Sequence, residues 1–506
     1  MDSHLLSIVL FTPFAGMIPL LFFPKENKTL IKVWANMVMV IGFLLSLPLW
    51  WRLDRSNPDF QFVERINWIP SIGAQYHIGV DGISMLMVLL TTSLGLISVF
   101  SSWSAVKDRL KEYYCFFLLL QSGMLGAFMA LDFFLFYVFW EAMLVPMYVI
   151  IGVWGGARKL HAAIKFFLYT LFGSVLMLLG ILALYFHHYN QFGTYTFDIA
   201  ALMKMTVPLH IQTWMFWGFF LAFAIKVPML PFHSWLPDAH AEAPTAGSVI
   251  LAGVLLKMGA YGFIRFSLPL LPDASVTFSP FISWLSVAAI LYGGYLALAQ
   301  SDLKKLVAYS SISHMGFVTL GIFAFNKQGI QGAVLQMFSH GITAGALFLA
   351  VGQLYDRTHS RLISDYGGLH KPMPRFAAFL SLFAVAAFGL PGAANFIGEF
   401  LVLVGTSYRS FVMVLLAMGG IVLAAAYMLC MLQRVTLGQA ATPAAALLPD
   451  LSMRETAILV PLAVVILWVG LYPGPLMEVM DASVNHLVQK MNGVLPLKLT
   501  RLSLLL

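Results

Sequence analysis

Charge is scarce in this chain of 506 residues: Asp, Glu, Lys and Arg together make up 10%, where soluble domains carry about 25%. Cysteine is scarcer still. Cys115 and Cys430 lie far apart in apolar surroundings and form no CxxC, no metal-ligand spacing and no iron–sulfur run. That argues against redox chemistry or a bound metal within the chain. A Gly-rich phosphate loop at a strand–helix junction is also missing, and with it the usual cradle for a nucleotide. No cleavable signal is expected, because Met1-Asp2-Ser3-His4 lacks a basic stretch and the apolar run after it is followed by Lys25 and Lys28, as in a first membrane span.

Apolar residues are what the chain has in abundance. They make up 60% of it, with a mean hydropathy of +0.86, which defines an all-α polytopic membrane protein. The length accommodates about fourteen spans of ~20 residues with short loops. The apolar runs place them near 5–23, 30–50, 82–104, 113–131, 133–154, 162–187, 212–229, 246–267, 279–299, 304–325, 330–354, 376–402, 410–433 and 455–473. The most polar stretch, 51–81, reads as an extracytoplasmic loop with room for a hairpin, and the tail after Pro475 reads as leaving the membrane. With the N-terminus outside, ~17 of the Lys and Arg residues, among them Lys107, Arg158, Lys304 and Arg361, fall on one side and ~10 on the other. The richer side is then cytoplasmic and both termini are periplasmic. The net charge of +7 reflects these loops rather than a nucleic-acid partner.

Two spans look broken. Lys226-Val-Pro228-Met-Leu-Pro231-Phe-His233-Ser-Trp-Leu-Pro237 packs three prolines into a short reach, and Gly389-Leu-Pro391-Gly392-Ala-Ala-Asn395 interrupts a second apolar run. Proline removes a backbone donor and clashes with the preceding turn. Inside a membrane, unwound backbone persists only where it is buried in protein or faces a cavity. Paired Gly/Pro interruptions in two halves are the sequence mark of an inverted-repeat transporter. A proline kink without transport is the plainer reading of either break alone.

Glu141, Lys226, Lys257 and Glu399 each lie deep in apolar sequence. A charge at the bilayer centre costs roughly 2.5–3.5 kcal/mol on insertion scales, so such residues face a bundle interior or a water path and mark ion or proton routes. Desolvation moves both a buried lysine and a buried carboxylate toward their neutral forms, and an opposite charge nearby moves them back. A Lys–Glu pair with variable spacing can therefore load and release a proton. A fixed ion pair used only for assembly is the competing reading. His314 and His340, set among hydroxyl residues in apolar spans, suit a relay near neutral pH, as do His233 and His240. A satisfied core histidine is the alternative for each.

Longer motifs carry a resemblance. Phe139-Trp-Glu141-Ala-Met-Leu-Val-Pro146-Met-Tyr148, Ala224-Ile-Lys226-Val-Pro228, His233-Ser-Trp-Leu-Pro237-Asp-Ala-His240-Ala-Glu-Ala-Pro244, Leu256-Lys257-Met-Gly-Ala-Tyr261 and Ser313-His314-Met-Gly-Phe317 are similar to the antiporter-like membrane subunits of complex I, the proton-pumping NADH:quinone oxidoreductase. That family is itself related to Mrp-type Na⁺/H⁺ antiporters. The resemblance runs from about 70 to 440. It implies N-terminal spans in 1–112, two inverted five-helix repeats at 113–267 and 279–433, and a last span with the tail in 434–506.

The resemblance also implies roles. Glu141 would pair with Lys226, Lys257 would be the central relay, and His314 and His340 would lead on to Glu399. His233 and His240, in the loop after the first break, would lie near the cytoplasmic input. FMN, iron–sulfur clusters and quinone would belong to partner subunits, namely the peripheral arm and L- and N-type antiporter-like neighbours in a bacterial inner membrane. Those relatives usually carry lysine where this chain has Glu399, and the L type has a lateral helix for which this chain ends too soon. Two other functions compete: a separate Mrp-like monovalent cation/H⁺ antiporter, which the glutamate disfavours, and a structural subunit whose buried charges only hold an assembly together.

Overall fold

The computed structural model describes residues 4–440, 442–443 and 445–494. The expectations for both extreme termini, including the apolar end at 502–506, lie outside the described residues. Each segment expected to span is mainly helical. Among the described residues, ten helices are long and apolar enough to cross a bilayer, from Leu5–Phe22 to Met453–Leu471, and two shorter apolar ones are Pro374–Ala387 and Ala394–Ser407. The polar stretch forms an antiparallel hairpin, β1 (Gln61–Ile69) with β2 (Ala74–Val80), in which Arg65 faces His77. The stretch after 475 is helical too, Gly474–Asn492.

Polar side chains at the ends decide where helices start. Asp81 and Ser84 form a capping box at the head of Gly82–Ala105. Ser452 and Glu455 do the same for Met453–Leu471. Asp132, Asp302, Asn326 and Ser410 each accept a backbone N–H in the first turn of the helix that follows. Each cap satisfies a donor that would otherwise be unpaired near the membrane boundary. Asp132 also accepts from Gln75 N at 3.1 Å. Its burial pushes its carboxyl pKa up to about 6.

The loops gather on two faces. On one, the hairpin meets Asp198 through Arg65 (2.7 Å) and His77 (3.7 Å), and Ile78 bridges Ala130. On the other, Trp154 donates to Asp108 O, Glu242 lies 3.8 Å from Arg158 and 3.7 Å from Arg361, and Arg361 lies 3.3 Å from Asp302. Residues 82 and 105 end one helix on opposite faces, so the bundle separates the two. Between the faces, large apolar side chains such as Phe172, Leu179, Trp214 and Val422 point outward, as a lipid-facing surface requires.

Both expected breaks are present. Leu209–Lys226 stops at Val227–Ser234, where Val227–Pro228 and Leu230–Pro231 are cis peptides, and the chain resumes as Trp235–Glu242. Pro374–Ala387 and Ala394–Ser407 flank the second break. There Gly389 (φ +74°) and Gly392 (φ +95°) hold left-handed backbone that disfavours a side chain. Three features differ from the sequence reading. The span at 133–154 is interrupted at Met143, three residues before Pro146. The span at 246–267 contains two π-helical segments, Leu251–Leu255 and Phe263–Ser267, on either side of Lys257. His240 is on the helix Trp235–Glu242 and not in a loop, because only prolines before residue 235 interrupt the backbone ladder and Pro237 sits in the first turn, where its missing N–H costs nothing.

Candidate functional site

The helices that carry the buried polar residues approach closely because small residues line their contacts. A Cβ on Gly332 would stand 2.7 Å from Val402 N, and one on Gly398 would stand 2.7 Å from Gln336 Oε1. Lys327–Thr358 and Ala394–Ser407 therefore pack backbone to backbone, the membrane use of glycine. The same holds between Gly259 and the carbonyl of Phe223. That contact seats the Lys257 helix against Leu209–Lys226.

A π segment prepares the place of Lys257. Leu256 N–H bonds to Leu251 O rather than to Ala252 O. The Ala252 carbonyl instead accepts from Lys257 Nζ at 2.5 Å. The same ammonium lies 2.7 Å from His340 Nδ1, so that nitrogen accepts and the ring proton is on Nε2. π-bulges are frequent at functional sites, and this one leaves the Ala252 carbonyl free to meet Lys257.

The line continues through facing rings. His340 and His314 have centroids 5.5 Å apart. His314 Nδ1 lies 2.8 Å from Glu399 Oε1, which also accepts from Gln336 Nε2 at 2.9 Å. Tyr427 lies 3.5 Å from His314 Nε2. Lys257 is 0% exposed, and His340, His314 and Glu399 are within 2% of it. Lys226 stands in the last turn of a half-helix, where the dipole favours a cation.

Lys226 and Glu141 are neighbours without being in contact. Glu141 is the opposite charge that acts on Lys226, yet among the described residues no ion pair within 4.0 Å joins them. The ammonium lies 5.3 Å from the ring centroid of Trp140 and 5.7 Å from that of Phe166. Glu141 is half-buried, with Oε1 unpartnered and the Tyr137 hydroxyl nearby. It shares its helix face with exposed Val138 and Val145.

His240 is fully buried, stacked 4.4 Å from Phe348, with neither ring nitrogen bonded. His233 lies apart, edge-on to Tyr292 at 5.4 Å. The structure thus joins Lys257, His340, His314 and Glu399 into one line, sets Lys226 and Glu141 beside each other, and leaves His233 outside both. Sequence reasoning missed Gln336, although it is four residues before His340 and so on the same helix face. It also missed a buried ion pair, Arg265 to Asp81 at 2.6 Å. No cluster with metal-ligand character exists among the described residues.

Buried titratable groups strung across a bundle with broken helices define a membrane protein of the ion-translocating, antiporter-like class. The sequence family described as NADH:quinone oxidoreductase/Mrp antiporter, TM, matches residues 130–424, and the chain belongs to it. NADH-quinone oxidoreductase subunit M of Rickettsia bellii is 45% identical over 497 residues, covering 97% of this chain and 99% of that one. The Rhodobacter capsulatus subunit M is 46% identical over 504 residues, covering 96% and 97%. Among solved structures, a chain of Thermus thermophilus respiratory complex I with bound NADH superposes with a TM-score of 0.86 at 29% identity, covering 97% of this chain and 100% of that one. A chain of the Dietzia Mrp complex shares the fold, with a TM-score of 0.83 at 20% identity over 97% and 99%.

Proposed function

We propose that this chain is a proton-translocating membrane subunit of an NADH:quinone oxidoreductase, driven by electron transfer in partner subunits that hold FMN, iron–sulfur clusters and quinone. The observation that carries this reading is the buried line from Lys257 through His340 and His314 to Glu399. Full-length similarity to subunit M chains supports it. A proton held at Lys257 moves to His340 across a 2.7 Å contact. The ring-to-ring step to His314 needs a small rotation or a water, and Glu399 receives the proton across 2.8 Å. Lys226 and Glu141 set the charge next to the line. Closing their gap holds the lysine charged, and opening it releases the proton. Lys257→Met in the assembled complex should lower the NADH-driven gradient by about a hundred-fold, the scale of a lost proton-transfer group. A wild-type gradient in proteoliposomes would reject the reading.

The finer architecture follows from the same argument. Fourteen crossings, with inverted repeats at 113–267 and 279–433, account for two broken helices of opposite role. Helix ends that alternate between the two loop faces support that count. Glu141 is half-exposed on an apolar face, and a carboxylate there is tolerable in a membrane only under a neighbouring subunit. That supports an L- or N-type neighbour on the Glu141 side. The hairpin and both termini are periplasmic, with the face of Arg158 and Arg361 cytoplasmic. Asn57→Cys and Leu160→Cys, each with Cys115 and Cys430 replaced, should react with an impermeant maleimide from opposite sides of the membrane. Labelling from one side would overturn the orientation.

A further inference from the structure

Lys304 is a buried ammonium that the line above does not use. It is 4% exposed, since it sits in the first turn of Leu303–Ile322 and points into the bundle. Its Nζ donates at 2.8 Å to Ala243 O, just past the helix that carries His240 and Glu242. The first turn of a helix disfavours a cation, and among the described residues no carboxylate comes within 4.0 Å of it. The charged groups around it are Arg361, Asp302, Asp356 and Glu242.

Its surroundings suggest a use. Lys304 lines a cavity of 450 Å³ together with Glu242, Tyr355, Asp356 and Asp108, on the loop face opposite the hairpin. Polar walls and that volume suit water. On the inner side, His240 has Lys304 and Lys257 as its charged neighbours. His340 in turn has His240, His314 and Lys257. His240, with both nitrogens unpartnered, therefore has both Lys304 and the Lys257–His340 pair among its charged neighbours.

We infer that Lys304 is the port through which protons enter the line from this cavity. The inference rests on the proposed function and adds an entry residue to it. The neutral amine takes a proton from hydronium in the cavity, leaving water. The ammonium gives that proton to a ring nitrogen of His240 and returns to the amine, and the imidazolium passes it on to the Lys257–His340 pair. Lysine can do this because a buried amine can be charged or neutral, whereas arginine stays charged.

The test uses the assembled oxidoreductase in proteoliposomes with NADH and a quinone. Lys304→Met removes the charge. Lys304→Arg keeps both a charge and a donor for Ala243 O but cannot release its proton. Both should lower the gradient by about ten-fold or more at wild-type assembly levels. A wild-type gradient with Lys304→Arg overturns the inference, because a fixed charge or a structural donor would then be sufficient. Lys257→Met is run in parallel. If it abolishes the gradient while Lys304→Arg does not, only the port is rejected; if it too is without effect, the proposed function falls. Should the Lys304 variants fail to assemble, Tyr355→Cys, with Cys115→Ala and Cys430→Ala, is alkylated after assembly. Tyr355 lies 5.7 Å from the Lys304 ammonium, so the adduct should block the port and lower the gradient. An unchanged gradient after full alkylation overturns the inference.

Discussion

Replacing Glu141 or Lys226 by alanine is expected to abolish most proton pumping coupled to NADH oxidation while the subunit still inserts. Lys226 is 1% exposed, and its ammonium lies 5.3 Å from the ring centroid of Trp140, the residue before Glu141. With Glu141 gone, the lysine loses the opposite charge that acts on it. A buried ammonium without an opposite charge nearby is disfavoured, because burial by itself favours the neutral amine. The site would then stay neutral and could not cycle. With Lys226 gone, Glu141 has nothing to exchange with. Glu141→Asp should retain more activity than Glu141→Gln, because it keeps an ionisable group. Inverted membrane vesicles with an acridine dye report the gradient, and immunoblots report insertion. Near-normal pumping in both alanine variants at normal assembly would reject the pair.

Glu399→Gln should lower the gradient per NADH by about ten-fold or more while electron transfer partly persists. Its Oε1 accepts from His314 Nδ1 (2.8 Å) and Gln336 Nε2 (2.9 Å). A glutamine oxygen can accept both, so geometry is preserved and only the ionisable oxygen is lost. Glu399→Lys restores the residue that relatives usually carry, yet it should do more damage. It replaces a carboxylate that accepts from His314 and Gln336 with an ammonium that donates, so both partners must turn an acceptor toward it, His314 by changing tautomer and Gln336 through its unpartnered Oε1. The glutamate is therefore matched to the donors that Gln336 and His314 present, and a lysine would need both to reorient. Wild-type turnover together with a wild-type gradient in the Gln variant would make Glu399 a packing residue.

Depth in the membrane was legible from one dimension. A lone Glu141 or Lys257 inside an apolar run stands at mid-depth whatever surrounds it, since helix rise converts position in sequence to height. The breaks were legible for the same kind of reason: Pro228, Pro231, Pro391 and the glycines beside Pro391 remove donors or admit left-handed backbone locally. Caps such as Asp81 with Ser84 are local as well.

Direction around the helix axis was not legible where a helix is apolar on all sides, because no polar stripe marks its buried face. Tertiary packing alone decided that Glu141 is half-buried while Lys257 is enclosed, that Lys304 points inward, and that Lys257 meets His340 while Lys226 stands off from Glu141. The π segment that frees the Ala252 carbonyl came from packing too, since nothing in Leu251–Leu255 forbids an ordinary α-turn. The amino-acid sequence by itself determined a polytopic helical membrane protein, the heights of its ionisable groups and the two places where helices must part. Which of those groups meet was decided by small-residue contacts such as Gly332 with Val402 and Gly398 with Gln336, where helices remote in sequence approach closely enough for Gln336 and Glu399 to hydrogen-bond.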